Sequence, residues 1–138
     1  MTQLVVLDSE AVTALHDRQH HRHREVVSHV QVIAQRKRRA EAIEAVVPTT
    51  VRVESGWDRR AATWAFLNGL RITDSALDAA LANAAAAIRD TPAISVADAH
   101  IGALIQTTSA QRITVLTSDP GDIRQVAGVK PITVVPLP

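Results

Sequence analysis

The chain has 138 residues, of which 46% are hydrophobic and 21% charged, and its formal net charge is +1. That size suits one folded unit with its own core, residues 1–138, and the mix excludes a disordered chain or an overall polycation. The lack of cysteine rules out disulfides and thiolate metal sites. No run reaches the roughly 18 to 20 apolar residues of a membrane span, and no secretory leader is evident, so a cytoplasmic location with no membrane partner is expected.

The charge is unevenly spread. Residues 16–39 hold seven Arg or Lys against two acids, and the remainder has more acids than bases. All the cations except Lys37 and Lys130 are arginine, which suits planar contacts to phosphate. A coding bias toward Arg and Ala would give the same count.

Leu4-Val5-Val6-Leu7-Asp8 reads as a strand buried on both faces that stops at a carboxylate. Ser9 can cap a short helix carrying Ala11, Val12, Ala14 and Leu15. A histidine-rich polar patch covers residues 16–24. Val26, Val27, Val30, Ile33 and Ala34 then form the apolar stripe of an amphipathic helix ending in Arg36-Lys37-Arg38-Arg39. Ala45-Val46-Val47-Pro48 predicts a second strand. Thr49 or Thr50 starts a helix with a stripe at Val53, Trp57, Ala61 and Trp64, and Glu54 lies at its margin.

Leu70-Arg71-Ile72 suggests a minor strand or an extended connection, and Asp74 or Ser75 opens an alanine-rich helix with Leu77, Leu81, Ala84 and Ile88 on one face. Thr91-Pro92 breaks it. Ser95 begins a helix with Ala97, Ile101, Leu104 and Ile105 inward. Ile113-Thr114-Val115-Leu116 is a strand leading into Thr117-Ser118-Asp119. A short helix over residues 120–127 ends at Gly128, and residues 132–135 form a last strand. Alternating strands and helices predict an α/β fold, with a mostly parallel sheet covered on both faces.

In such a sheet, strand ends and the first turns of following helices share one edge, where ligands bind. That rule places Asp8, Glu54, Asp98 and Asp119 together, with Asp122 as a fifth acid. Packed carboxylates repel one another, and a hard divalent cation neutralises them. Such an ion activates water and stabilises charge on a phosphate under attack. Each acid also has a structural role open to it. Ser95-Val96-Ala97-Asp98 fits a capping box, and Asp119-Pro120 fits an N-cap with Pro at the first helical position.

The ordered set Val5-Val6-Leu7-Asp8-Ser9, Val47-Pro48 leading to Val53-Glu54, Ser95-Val96-Ala97-Asp98-Ala99-His100-Ile101 and Val115-Leu116-Thr117-Ser118-Asp119-Pro120 resembles the PIN-domain family. The resemblance is to its VapC-type toxin ribonucleases in particular. It implies a three-layer α/β/α sandwich and metal-dependent cleavage of RNA to a 5′-phosphate and a 3′-hydroxyl. It implies Asp8, Glu54, Asp98 and Asp119 as the catalytic acids, with magnesium or manganese held by Asp8, Asp98, Asp119 and Asp122. Ser9, Thr117 and Ser118 would hydrogen-bond around these acids. A cognate antitoxin, an RNA substrate and a homodimer are implied as partners. The long spacing from Asp8 to Glu54 departs from the pattern, and Asp58, one turn on, is a substitute for Glu54.

Other residues offer chemistry of a weaker kind. His20, His21 and His23 beside Arg22 and Arg24 suit a transition metal, or simply a polar helix end. His100, two residues after Asp98, reads as a group supporting the acids or, more readily, as a partly exposed helix position. The cations at 36–39 can track RNA phosphates or lie in solvent. Trp57 and Trp64 read as core or dimer contacts, and with few aromatics a structured RNA such as tRNA or rRNA is favoured over stacked single strands. The alternative readings are a non-catalytic PIN-like RNA- or protein-binding module, and a phosphoacceptor domain, which Lys130 fits poorly by preceding the last strand.

Overall fold

Strand β1 (Gln3–Leu7) has Leu4, Val5, Val6 and Leu7 all buried, as a strand covered on both faces must. The computed structural model describes residues 2–90 and 93–137. Among these, β2 (Ile43–Pro48), β3 (Thr73–Ser75), β4 (Arg112–Thr117) and β5 (Thr133–Pro136) complete one sheet in the order β3-β2-β1-β4-β5. Every neighbouring pair is parallel. Gln3 lies opposite both Ile43 and Arg112, and Leu7 opposite Leu116, so the three central strands start and finish together.

The helices are α1 (Ser9–His16), α2 (His23–Arg38), α3 (Thr49–Ser55), α4 (Ala65–Asn68), α5 (Ala79–Ile88), α6 (Val96–Thr107) and α7 (Pro120–Ala127). α1 and α2 pack together on β1, β2 and β4, while α6 and α7 pack together on β2, β4 and β5, and α5 lies against α6. The result is a three-layer α/β/α sandwich. A short 3-10 turn, Ala62–Trp64, precedes α4. The main core joins the sheet to α1, α2 and α6 through Leu15, Val30, Ile101 and Ile105. A smaller cluster between α5, α6 and α7 contains Ala85, Ala99, Ala103 and Val126, with Leu77, Leu81, Ala84 and Ile88 packed against it.

Several boundaries differ from the sequence expectation. The stripe at Val53, Trp57, Ala61 and Trp64 is not one helical face. Gly56, at φ 76°, closes α3 in the left-handed region that terminates helices. Val53 is 83% exposed, and Val51 is the residue of α3 that enters the core. Trp57 is buried beyond the helix end, stacked 6.0 Å from Trp64, with its Nε1 donating to Asn68 Oδ1 at 2.9 Å. The third strand is Thr73–Ser75 rather than residues 70–72, so α5 starts later and is capped by Asp78, whose Oδ1 accepts from Leu81 N at 2.8 Å. The Thr91-Pro92 helix break lies outside the described residues.

Candidate functional site

The strand order reverses beside β1: β2 and β3 build to one side of it, β4 and β5 to the other. The crevice at the carboxyl ends of β1 and β4 is therefore the switch point at which α/β sheets bind ligands. Asp8 lies there. It is only 8% exposed, and its carboxylate is held by both neighbouring elements. Oδ1 accepts from Ala11 N at 2.9 Å, capping α1, and Oδ2 accepts from Ser118 N at 3.3 Å, just past β4. Burial pushes its pKa above the usual value. Hydrogen bonds from the Thr117 side chain and from the Ala11 and Ser118 amides oppose that rise, and Glu10 adds to it.

Asp98 approaches from α6. Ser95 caps this helix as expected, its Oγ accepting from Asp98 N at 3.0 Å. The cap does not use up the carboxylate. Burial raises the Asp98 pKa first, against the Ser95 hydrogen bond, and the charges of Asp122, Asp8 and Glu54 raise it further. The charges of three acids from three other elements thus bear on Asp98 across the crevice.

Glu54 is exposed on α3, and Ser9 Oγ donates to its Oε1 at 2.7 Å, linking it to the residue after Asp8. Asp58 does not replace it. Asp58 turns to Arg60, 3.1 Å away, and that hydrogen bond lowers its pKa. Asp119 caps α7, with Oδ1 accepting from Asp122 N at 3.4 Å. It is not among the charges that act on Asp98, and it joins the set through Asp122, whose pKa is raised by side-chain hydrogen bonding to Asp119. Thr117 is buried and splits its role, serving Asp8 and accepting from Asp119 N at 2.9 Å. Ser118 contributes its backbone amide to Asp8.

Among the described residues, no three His, Asp or Glu side chains stand close enough to ligate an ion directly. The donors are all hard carboxylate oxygens. Magnesium is commonly held by one or two carboxylates with water completing its shell, and this donor set fits an ion held in that way.

His100 is fully buried, not partly exposed. Its Nδ1 is 2.8 Å from Thr50 Oγ1, tying α6 to α3 and so the helix of Asp98 to the helix of Glu54. Burial lowers its pKa, with the Asp78 charge opposing, and Nε2 has no partner. Thr50 escaped the sequence reading because a hydroxyl at a helix start looks like a cap; its pairing over fifty positions leaves no local signal. The histidine patch holds the α1–α2 connection. His20 Nε2 meets Glu10 Oε1 at 2.6 Å and His23 Nδ1 meets Ala14 O at 2.8 Å.

No family model and no curated protein matches this chain. The strand order β3-β2-β1-β4-β5 differs from the 2-1-3-4-5 order of receiver-like folds, which removes the phosphoacceptor reading. Among the described residues no helix is long and apolar enough to cross a membrane.

Proposed function

We propose that the chain is a magnesium- or manganese-dependent endoribonuclease, the toxin of a type II toxin–antitoxin pair. The observation that carries the nuclease reading is the electrostatic meeting of Asp8, Glu54 and Asp122 on Asp98 at the switch point. Holding Asp98 charged among these carboxylates is costly unless a cation offsets them. The toxin assignment, the antitoxin partner and the homodimer rest on the PIN-like motif order.

In this reading Asp8, Asp98 and Asp122 hold the ion, partly through water, and Asp119 supports them through Asp122. When bound, the ion neutralises the crevice and stabilises charge on the phosphate under attack. Asp8 is oriented by two backbone amides and Thr117, so it needs little rearrangement to serve. Glu54 is held at Oε1 by Ser9, and its Oε2 orients the attacking water and accepts its proton. The water oxygen bonds to phosphorus as the bond to the 3′-oxygen breaks, and the departing 3′-oxygen takes a proton from solvent water, leaving a 5′-phosphate and a 3′-hydroxyl. No side-chain nucleophile is required.

The spacing of the acids favours one competing reading, a non-catalytic module that only holds RNA, because no three of them close on a point. An RNA cleavage assay with end mapping separates the two. Asp8→Asn, Asp98→Asn and Asp119→Asn should each abolish magnesium-dependent cleavage while the protein stays folded. Purified protein that binds RNA but leaves it intact in magnesium and manganese contradicts the nuclease.

A further inference from the structure

The amino-terminal edge of the sheet carries the opposite charge. α2 runs back along the sheet, so its basic end lies beside the start of β1, where Arg36 Nη1 donates to Gln3 Oε1 at 3.1 Å. Two clefts open at this pole. One, of ≈ 460 Å³, is lined by Gln31, Gln35 and Arg38 of α2 together with Arg71. The other, of ≈ 490 Å³, is lined by Gln3, Arg36 and Arg112. The acids nearby are already engaged: Glu41 with Arg36 at 3.2 Å and Glu44 with Lys37 at 3.0 Å. Among the described residues, the side chains of Arg38, Arg39, Arg71 and Arg112 make no ion pair, and all four are exposed.

The two non-glycine residues with positive φ among the described residues, Ala40 at 62° and Arg71 at 58°, each line one of these clefts. Left-handed backbone is unfavourable for any residue with a Cβ. At Arg71 a guanidinium stands where glycine would be easier to accommodate.

We propose that this pole binds the phosphate backbone of nucleic acid without reading its sequence. Guanidinium forks match phosphate oxygens, and glutamine amides supply neutral donors to the same backbone. Two arginine-bearing clefts on one edge of the sheet suit a polymer of repeated charges better than a single small anion. None of the exposed large hydrophobic residues lines either cleft, and the larger apolar side chains that do, Val30 and Leu70, are buried in or packed on the core, so neither offers a projecting apolar anchor for a peptide or a bilayer. From Gln3 to Asp8 the sheet spans five residues, about 17 Å, so the surface is separate from the carboxylate crevice. It stands whether or not that crevice cleaves RNA.

The test is fluorescence anisotropy of a labelled short RNA duplex with the full chain, in EDTA, over a series of salt concentrations. Binding should weaken linearly in the logarithm of salt. The triple variant Arg38→Gln, Arg71→Gly, Arg112→Gln should lose more than about tenfold in affinity at low salt, with the slope shallower by about one per residue replaced. Arg60→Gln removes an exposed cation that is paired with Asp58 outside both clefts, and should change neither quantity. Unchanged affinity and slope in the triple variant overturn the proposal. So does an Arg60→Gln effect equal to that of each pole arginine. Tighter binding to a polyglutamate peptide, or binding only to phosphatidylserine vesicles, overturns it in favour of a protein or membrane partner. Thermal melting guards against misfolding, because Arg71→Gly should leave stability unchanged or raise it.

Discussion

Asp98 sits where burial and three neighbouring carboxylates all oppose its charge, and Asp8 sits where burial alone is the largest opponent. An acid whose pKa rises on folding stabilises the fold while protonated. That contribution is complete below the ordinary value near 3.8 and is lost as pH rises through the raised folded value. Asp98→Asn should therefore raise the melting temperature at neutral pH and change it little near about pH 4. Calorimetric melts across pH check this, and an unchanged neutral-pH melting temperature would mean that the acids do not repel. His100 acts in the other direction. Its lowered pKa gives a contribution present above 6.5 and lost as pH falls through the folded value, so the two effects separate along the pH axis. Ser9→Ala removes one exposed hydrogen bond to Glu54 and should move stability by no more than about 0.5 kcal/mol. Its effect should appear in turnover, measured by cleavage kinetics.

At the scale of elements, the site depends on how α6 is held between its neighbours. A Cβ on Gly102 would meet Val126 Cβ and Val126 O at 2.7 Å each, so glycine lets α6 and α7 approach closely. Gly102→Ala should cost about 1–3 kcal/mol in denaturant melts and should shift Asp122 relative to Asp98. Thr50→Val removes the partner of a buried imidazole that already has one unpartnered nitrogen, at a cost of about 1–3 kcal/mol. At the end of α2, Glu41 N bonds to Arg36 O and Ala40 N to Lys37 O, a Schellman closure with alanine at the position that prefers glycine. Ala40→Gly should stabilise the protein by up to about 1 kcal/mol, read by the same melts. The elements legible in the sequence were those with local signals. α6 and α7 are bounded by Ser95, Asp119 and Pro120, where the caps themselves are written in the chain. α3 was misjudged because Val53, Trp57, Ala61 and Trp64 keep a helical period although Gly56 ends the helix among them. The tryptophan packing is tertiary, and periodicity does not record it.

Across the whole molecule, the parallel sheet separates charge. Carboxylates gather at the strand ends, and four arginines without an ion pair among the described residues, Arg38, Arg39, Arg71 and Arg112, lie at the strand starts. The acidic edge could be anticipated because strand-ending Asp8 and Asp119 are visible in the chain and a parallel sheet sends such ends one way. What joins Asp122 and Glu54 to Asp98, and links Asp119 to the set through Asp122 and Thr117, depends on how three helices are oriented, which no spacing encodes. The basic pole was half visible, as the cations at residues 36–39. Arg71 and Arg112 reach it only through the sheet register. The most direct measurement is manganese binding by electron paramagnetic resonance, comparing the parent chain with Asp8→Asn and Asp98→Asn. The expected result is saturable binding in the parent, competed by magnesium and lost in both variants. Binding of equal strength in all three proteins, or in none, would contradict a shared cation at the carboxylate edge.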